Sequence, residues 1–428
     1  MVKRALQTTL LLLLTATAIC AEEDPSEPRE IAGHRTILGA QVSARPNPVP
    51  PRSVFGAERD WQKQPFRVAT LLIEFADKKH EAVHSAEMYE RMLFSRDEYH
   101  QQPDGKPSFG SLADWYRVQS QGRFVLTGKV FDWVAIEQTF AAIHEMKFAD
   151  AKKALFEAAL DQVLARDGAS AFDGCDGYIL IHAGPITGPS NNILWSHQEK
   201  LGGIRYFTSG EIERIGVFCH EWGHILGLPD LYAKEGVRES FGPWCAMAAG
   251  YRGLYPKSFC VWSKTRLGWC RPTVVDAAEP QRLALRPIQQ HPNDAFIVPL
   301  NAEDGVGAEF LMLENRSTAG NDAEGQAGLF IWRIKRLPDR GGLPKFELKL
   351  PGPLDKPNTV PAATGRRVAW PQGNVHDFLV SAEDGNFRVA VRNIRLVNGI
   401  IFFDLGPQRS DTNLKQLVPT NAPFSFIP

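Results

Sequence analysis

Hydrophobic and polar positions divide the chain into two stretches of different periodicity. From Val68 to Phe75 the apolar residues run almost unbroken, as in a strand covered on both faces. Tyr178 to Ala183 repeats that pattern and stops at Gly184-Pro185. Between them, Ala86 to Phe94 reads as mostly helical and Phe124 to Trp133 alternates like a strand. Lys147 to Arg166 sets Phe148, Ala151, Leu155, Ala158, Ala159 and Val163 at near-helical spacing, with Gln162 as the one polar intruder. Glu211 to Leu226 reads as a further helix, stopped by Gly227 and Pro229. Beyond Pro272 short β-type segments take over: Ala295 to Val298, Glu309 to Leu313, Leu329 to Ile334, Phe387 to Val391 and Ile400 to Leu405. The Pro- and Gly-rich stretch 336–376 reads as a surface loop. The pattern predicts an α/β (α+β) domain over residues 65–272 and an all-β, sandwich-like domain over 273–428.

The beginning of the chain differs in kind. Lys3 and Arg4 precede an apolar run through Leu10 to Leu14, then small residues, then Glu22-Glu23-Asp24. That is the layout of a signal peptide over residues 1–21, too short to span a bilayer, with cleavage fitting after Ala18 or Ala21. It implies an extracellular or periplasmic protein. A lipid anchor at Cys20 is disfavoured by bulky Ile19 where a small residue is wanted. Residues 22–64, with Pro46, Pro48, Pro50 and Pro51, are too polar and proline-rich to pack a core and read as an extended linker or propeptide. No other stretch is long and apolar enough for a transmembrane helix.

Composition changes little. The 428 residues are 43% hydrophobic and 23% charged, with 48 basic against 49 acidic residues and a net charge of −1. That balance gives no general attraction to nucleic acid. Past the leader stand Cys175, Cys219, Cys245, Cys260 and Cys270, with no C-x-x-C pair to hold zinc. Buried thiols and disulfides are equally compatible with that odd number.

The candidate chemistry is concentrated in His220-Glu221-Trp222-Gly223-His224-Ile225-Leu226-Gly227-Leu228-Pro229-Asp230. Two histidines four apart on a helix share a face and can hold one metal ion. Glu221 then lies beside a metal-bound water as general base, and Asp230 can return as third ligand after a turn at Gly227. A solvated surface helix is the competing reading. Val217, Phe218, Ile225 and Leu226 oppose it, because a buried helix would not carry two idle histidines and a carboxylate without cost.

With Leu231-Tyr232 added, this motif resembles the site of the immune inhibitor A family of secreted zinc metalloproteases. Other segments are similar to that family too: Leu72 to Asp77, Ser111 to Tyr116, Gly122 to Gly128, Asp176-Gly177-Tyr178, His182-Ala183-Gly184, Trp195-Ser196-His197, Leu313 to Arg316 and Gly328 to Trp332, together covering about 66 to 405. The resemblance implies a zincin-like catalytic domain with one catalytic zinc ion on His220, His224 and Asp230. It implies that Met247, in Gly242 to Gly250, is the methionine of a turn beneath the metal. Structural calcium is implied by the resemblance alone, and no EF-hand-like loop appears. Cys245 and Arg333 depart from the family pattern, which has an acidic residue and a histidine there.

Tyr232, Tyr251 and His197 are candidate stabilisers of a transition-state oxyanion, though His197 fits structural packing better. His182, inside an apolar strand, fits a hydrogen-bonded core role. The strand after Asp176 is a candidate edge for pairing with extended substrate. The expected activity is hydrolysis of peptide bonds in extracellular proteins. Its rivals are a catalytically weak zincin-fold binding protein and a zinc hydrolase of a non-protein amide. Intact Glu221 argues against the first, and the lack of an appended basic or aromatic module against the second.

Overall fold

The computed structural model describes residues 59–189, 191–232, 241–300, 309–323, 325–336, 344–349, 378–381 and 388–407. The signal-peptide segment, most of the linker and most of 336–376 lie outside the described residues.

The first half is built on a five-stranded sheet. Strands β1 (Phe66–Glu74), β2 (Leu126–Ala135), β3 (Gly177–His182), β4 (His197–Leu201) and β5 (Ile204–Gly210) lie in the order β2-β1-β3-β5-β4. All neighbours are parallel except β4, which runs antiparallel to β5 at the edge. The apolar runs fit this placement because each parallel strand is covered twice. Phe66, Val68 and Leu72 point to one face, and Ala69, Leu71 and Ile73 to the other. The first face carries helices α1 (Ala86–Phe94), α2 (Leu112–Ser120) and, further along the chain, α6 (Ile215–Ile225). The second carries α3 (Phe140–Glu145) and the helix predicted over 147–166.

That helix is not uniform. It comprises α4 (Phe148–Lys152), a π-turn at Lys153–Glu157 and α5 (Ala158–Asp167). The wide turn lets Leu155 and Phe156 both reach the core, whereas Gln162 faces water. The helix expected from Glu211 begins only at Ile215. The Glu211 N–H donates back to the carbonyls of His182 and Gly184, which holds the chain in a turn. The expected edge strand after Asp176 is also corrected: β3 lies between β1 and β5, with no free edge, and the edges are β2 and β4.

Ordered packing starts upstream of the expected position 65. The Arg59 guanidinium grips both carboxylate oxygens of Asp176 at 2.6 and 2.8 Å, and Trp61 packs on Phe66 and Phe124.

The second half contains two sheets among the described residues. One holds β6 (Thr273–Val274), β8 (Ala295–Pro299), β9 (Glu309–Arg316), β10 (Gly328–Arg336) and β11 (Pro344–Lys349); the other holds β7 (Gln281–Leu285), β12 (Phe378–Ser381), β13 (Arg388–Val397) and β14 (Ile400–Pro407). Strand β11 falls inside the stretch expected to be loop. Side chains of both sheets, among them Phe296, Leu313, Ile331, Val391 and Phe403, share one core. The opposite face of the first sheet, with Phe310, Met312, Phe330 and Trp332, joins the core of α2, α6 and α7 (Val261–Arg266). Among the described residues no helix is long and apolar enough to cross a membrane.

Candidate metal centre

Helix α6 lies in the core because its apolar positions demand it. Trp222 meets Phe66 edge-on at 5.4 Å, and Phe218 meets Phe207 at 5.1 Å. Its other side carries the two histidines. Their Nε2 atoms lie 3.1 Å apart. His220 Nδ1 lies 2.8 Å from the Ala246 carbonyl and His224 Nδ1 lies 2.7 Å from the Leu228 carbonyl. A carbonyl only accepts, so each Nδ1 carries a proton, which leaves Nε2 as the ligand atom of each ring.

Helix α6 ends where Gly227 adopts φ 95°, a left-handed conformation that suits glycine. The Leu228 N–H closes on the Gly223 carbonyl at 3.0 Å, and the chain returns beside the histidines. Asp230 Oδ1 then stands 3.2 Å from His220 Nε2 and 3.1 Å from His224 Nε2. Among the described residues, these three are the group of metal-capable side chains brought together in this way. Three acceptors face one another across a triangle of nearly equal sides. Tetrahedral zinc bonds of about 2.0–2.1 Å require ligand separations of roughly 3.3 Å, so the donor set and its spacing fit zinc.

The electrostatics favour added positive charge. Burial would raise the Asp230 carboxyl, but its contacts with His220 and His224 overcome this and hold it well below the usual carboxylate range. Burial lowers His224, yet Asp230 and Glu221 draw it above its ordinary value. Glu221 is pushed up, first by burial and then by Asp230, against the pull of the two histidines. A proton or a metal cation satisfies such a cluster.

The flanks complete the site. Met247 is fully buried, and its thioether packs against the small face of Gly223, between the two histidines on α6. The Leu231 N–H donates to the Met247 carbonyl at 2.7 Å, tying the segment that carries Asp230 to the Met247 turn. The Tyr251 ring sits 4.5 Å from that of His220, and the Tyr232 ring stacks over it at 6.1 Å. Burial and the Asp230 charge keep the Tyr232 phenol protonated far above its usual range. Arg252 Nε donates to the Tyr251 hydroxyl at 3.1 Å.

His197 is not brought into this group. Its ring contacts Phe148 and Tyr206 on the sheet face opposite α6, with Nε2 3.1 Å from the Tyr206 hydroxyl. The transition-state role considered for it is therefore corrected to packing at the sheet edge. His182 is fully buried between the Ala183 and Leu194 carbonyls. Calcium finds no support among the described residues. Sequence reasoning missed the Ala246 and Leu228 carbonyls, because a main-chain acceptor leaves no residue-type signal. It also missed Glu213, whose carboxyl is raised by burial and by Glu221.

The segment that builds the site has known counterparts. Residues 57–170 and 167–265 match the family described as immune inhibitor A peptidase M6, catalytic domain. Immune inhibitor A of Bacillus thuringiensis subsp. alesti is 26% identical over 270 residues, which are 45% of this chain and 38% of that protein. Pre-pro-metalloprotease PrtV of Vibrio cholerae serotype O1 is 26% identical over 280 residues, 47% of this chain and 30% of that protein. The chain thus matches well under half the length of these relatives.

Proposed function

Because its catalytic stretch belongs to the immune inhibitor A family of peptidases, we propose that this protein is a secreted zinc endopeptidase that cleaves extracellular proteins. The observation that carries the reading is the convergence of His220 Nε2, His224 Nε2 and Asp230 Oδ1 within 3.2 Å of one another. The leader pattern of residues 1–21 supports export. The domain limits at 64 and 272 belong to the same reading.

His220, His224 and Asp230 would hold a zinc ion, which would supply Lewis acidity to make water nucleophilic near neutral pH and to polarise the scissile carbonyl. The protein does the rest. Glu221 takes the proton of the attacking water and returns it to the leaving amine. Its raised affinity for a proton suits that exchange. The Tyr232 and Tyr251 phenols, beside His220, donate to the oxyanion that develops at the carbonyl. Arg252 fixes the Tyr251 hydroxyl, and the Ala246 and Leu228 carbonyls fix the imidazole rings.

The test is digestion of unfolded protein substrates by the mature chain, by Glu221→Ala and by Asp230→Ala, with metal content measured in each. Zinc in the wild type and in Glu221→Ala, with activity lost only in the variant, is expected, as is weakened zinc retention in Asp230→Ala. Equal activity of wild type and Glu221→Ala, or no zinc in either, overturns the reading. Zinc without activity in either chain favours a binding scaffold.

A further inference from the structure

Two cysteines lie directly behind the turn that carries Met247. Cys245 and Cys260 are both fully buried. The Cys245 sulfur is 3.3 Å from the backbone nitrogen of Cys260, which is the N-cap residue of α7. Both sulfurs converge on one hydroxyl, Ser263 Oγ, at 3.9 and 3.5 Å. Both are free thiols in this structure, and a disulfide needs about 2.05 Å between sulfurs, so closing one requires the side chains to turn about χ1 from these rotamers.

We propose that Cys245 and Cys260 form a disulfide that braces the Met247 turn against the start of α7. This rests on the secreted reading above, which would place the chain in a compartment where such bonds persist. The surroundings favour the chemistry: against burial, which raises it, hydrogen bonding to Cys260 and then the charge of Arg316 draw the Cys245 thiol below its ordinary value. Cys260 is pushed the other way by burial and by Cys245. Cys245 is thus the attacking thiol.

The step balances with a low-molecular-weight disulfide as oxidant. With glutathione disulfide, the Cys245 thiolate attacks one sulfur and releases one glutathione. The Cys260 thiolate then attacks the mixed disulfide at Cys245 and releases the second. Two thiol protons and two electrons leave the protein, and two glutathione thiols are formed. Because both sulfurs are buried in the folded chain, the bond closes during folding, before sheet β6-β8-β9-β10-β11 covers them.

The experiment is refolding of the full chain in a glutathione redox buffer, followed by alkylation in denaturant without reductant and peptide mapping. The expected result is one bridged peptide pair joining Cys245 to Cys260, with Cys175, Cys219 and Cys270 alkylated. Alkylation of all five, or a bridge between other cysteines, overturns the proposal. Reducing the bridged protein should lower its melting temperature by about 5 °C, the order given by closing a loop of that length. Cys260→Ser should show no such difference between oxidising and reducing buffer. An equal drop in Cys260→Ser overturns the bracing role. The mass readout on the wild type does not depend on peptidase activity or on the variant folding.

Discussion

Gly250 closes the turn that runs under the metal centre. Its N–H donates to the Cys245 carbonyl at 3.1 Å, and its own carbonyl accepts from Lys257. A methyl group in its place would stand 2.6 Å from that carbonyl oxygen, 2.7 Å from its carbon and 3.1 Å from the Cys245 nitrogen. All three are backbone atoms that no rotamer change removes. Restoring ordinary contact at 3.4 Å requires a shift of roughly 0.8 Å, and crowding of this kind costs about 1–3 kcal/mol. Loss of glycine's freedom in the unfolded chain returns roughly 0.4–1 kcal/mol. Gly250→Ala should therefore destabilise the fold by about 1 kcal/mol. The same shift acts on Ala246, whose carbonyl lies 2.8 Å from His220 Nδ1. Lengthening that contact to about 3.6 Å breaks a hydrogen bond, and losing such a partner of a metal-binding histidine costs roughly 10–100-fold in metal affinity. Urea unfolding and zinc competition against a chelator measure the two effects. Gly253→Ala is the control, because there the nearest atom is Tyr255 O at 3.3 Å and φ is −68°. If Gly250→Ala matches Gly253→Ala in both assays, the turn does not hold His220 and the reasoning is wrong.

Other expected outcomes concern stability and anchoring. His182 is fully buried and held down to about 4 by burial, against the help of its two carbonyl partners. A histidine with a depressed folded-state value contributes stability above about pH 6.5 that is lost as pH falls toward 4, and the shift corresponds to about 3 kcal/mol. Urea unfolding across pH 7 to 4 should show that loss in the wild type and not in His182→Phe. Trp332 is fully buried and stacks on Phe241 at 4.1 Å. Trp332→Ala should cost about 3–5 kcal/mol and weaken zinc retention, and unchanged zinc binding would separate the β region from the site. Arg59→Ala removes the grip on Asp176; proteolytic trimming of the N-terminal segment should then extend to Phe66, as N-terminal sequencing would reveal.

Much of this was legible in the chain. The runs at Val68 and Tyr178 read as twice-covered strands because parallel strands show no alternation, and His220 to Asp230 carries its geometry in its spacing. Strand order was not legible, since it is set by crossovers rather than by composition. Placing β3 at an edge failed for that reason. One of the two true edges, His197 to Leu201, is polar and mostly exposed and looks like loop. His197 shows the same limit: its neighbours Trp195 and Ser196 pointed to a site, but pairing with Thr208 of β5 turned its ring toward Tyr206. The π-turn left no mark because its residues have ordinary helical chemistry.

The turn under the metal is steadied from far along the chain. Phe241 stacks on Trp332, Trp244 packs against Phe330, and Arg316 donates to the Trp244 carbonyl. Synthesis runs from N- to C-terminus, so His220, Glu221, His224 and Asp230 all leave the ribosome before any of these supports exists. The ligand-bearing helix can form early, but its floor must wait for β9 and β10. A centre assembled in that order is completed only when most of the polypeptide has been made, so the contacts that hold its floor cannot form on a chain still being synthesised.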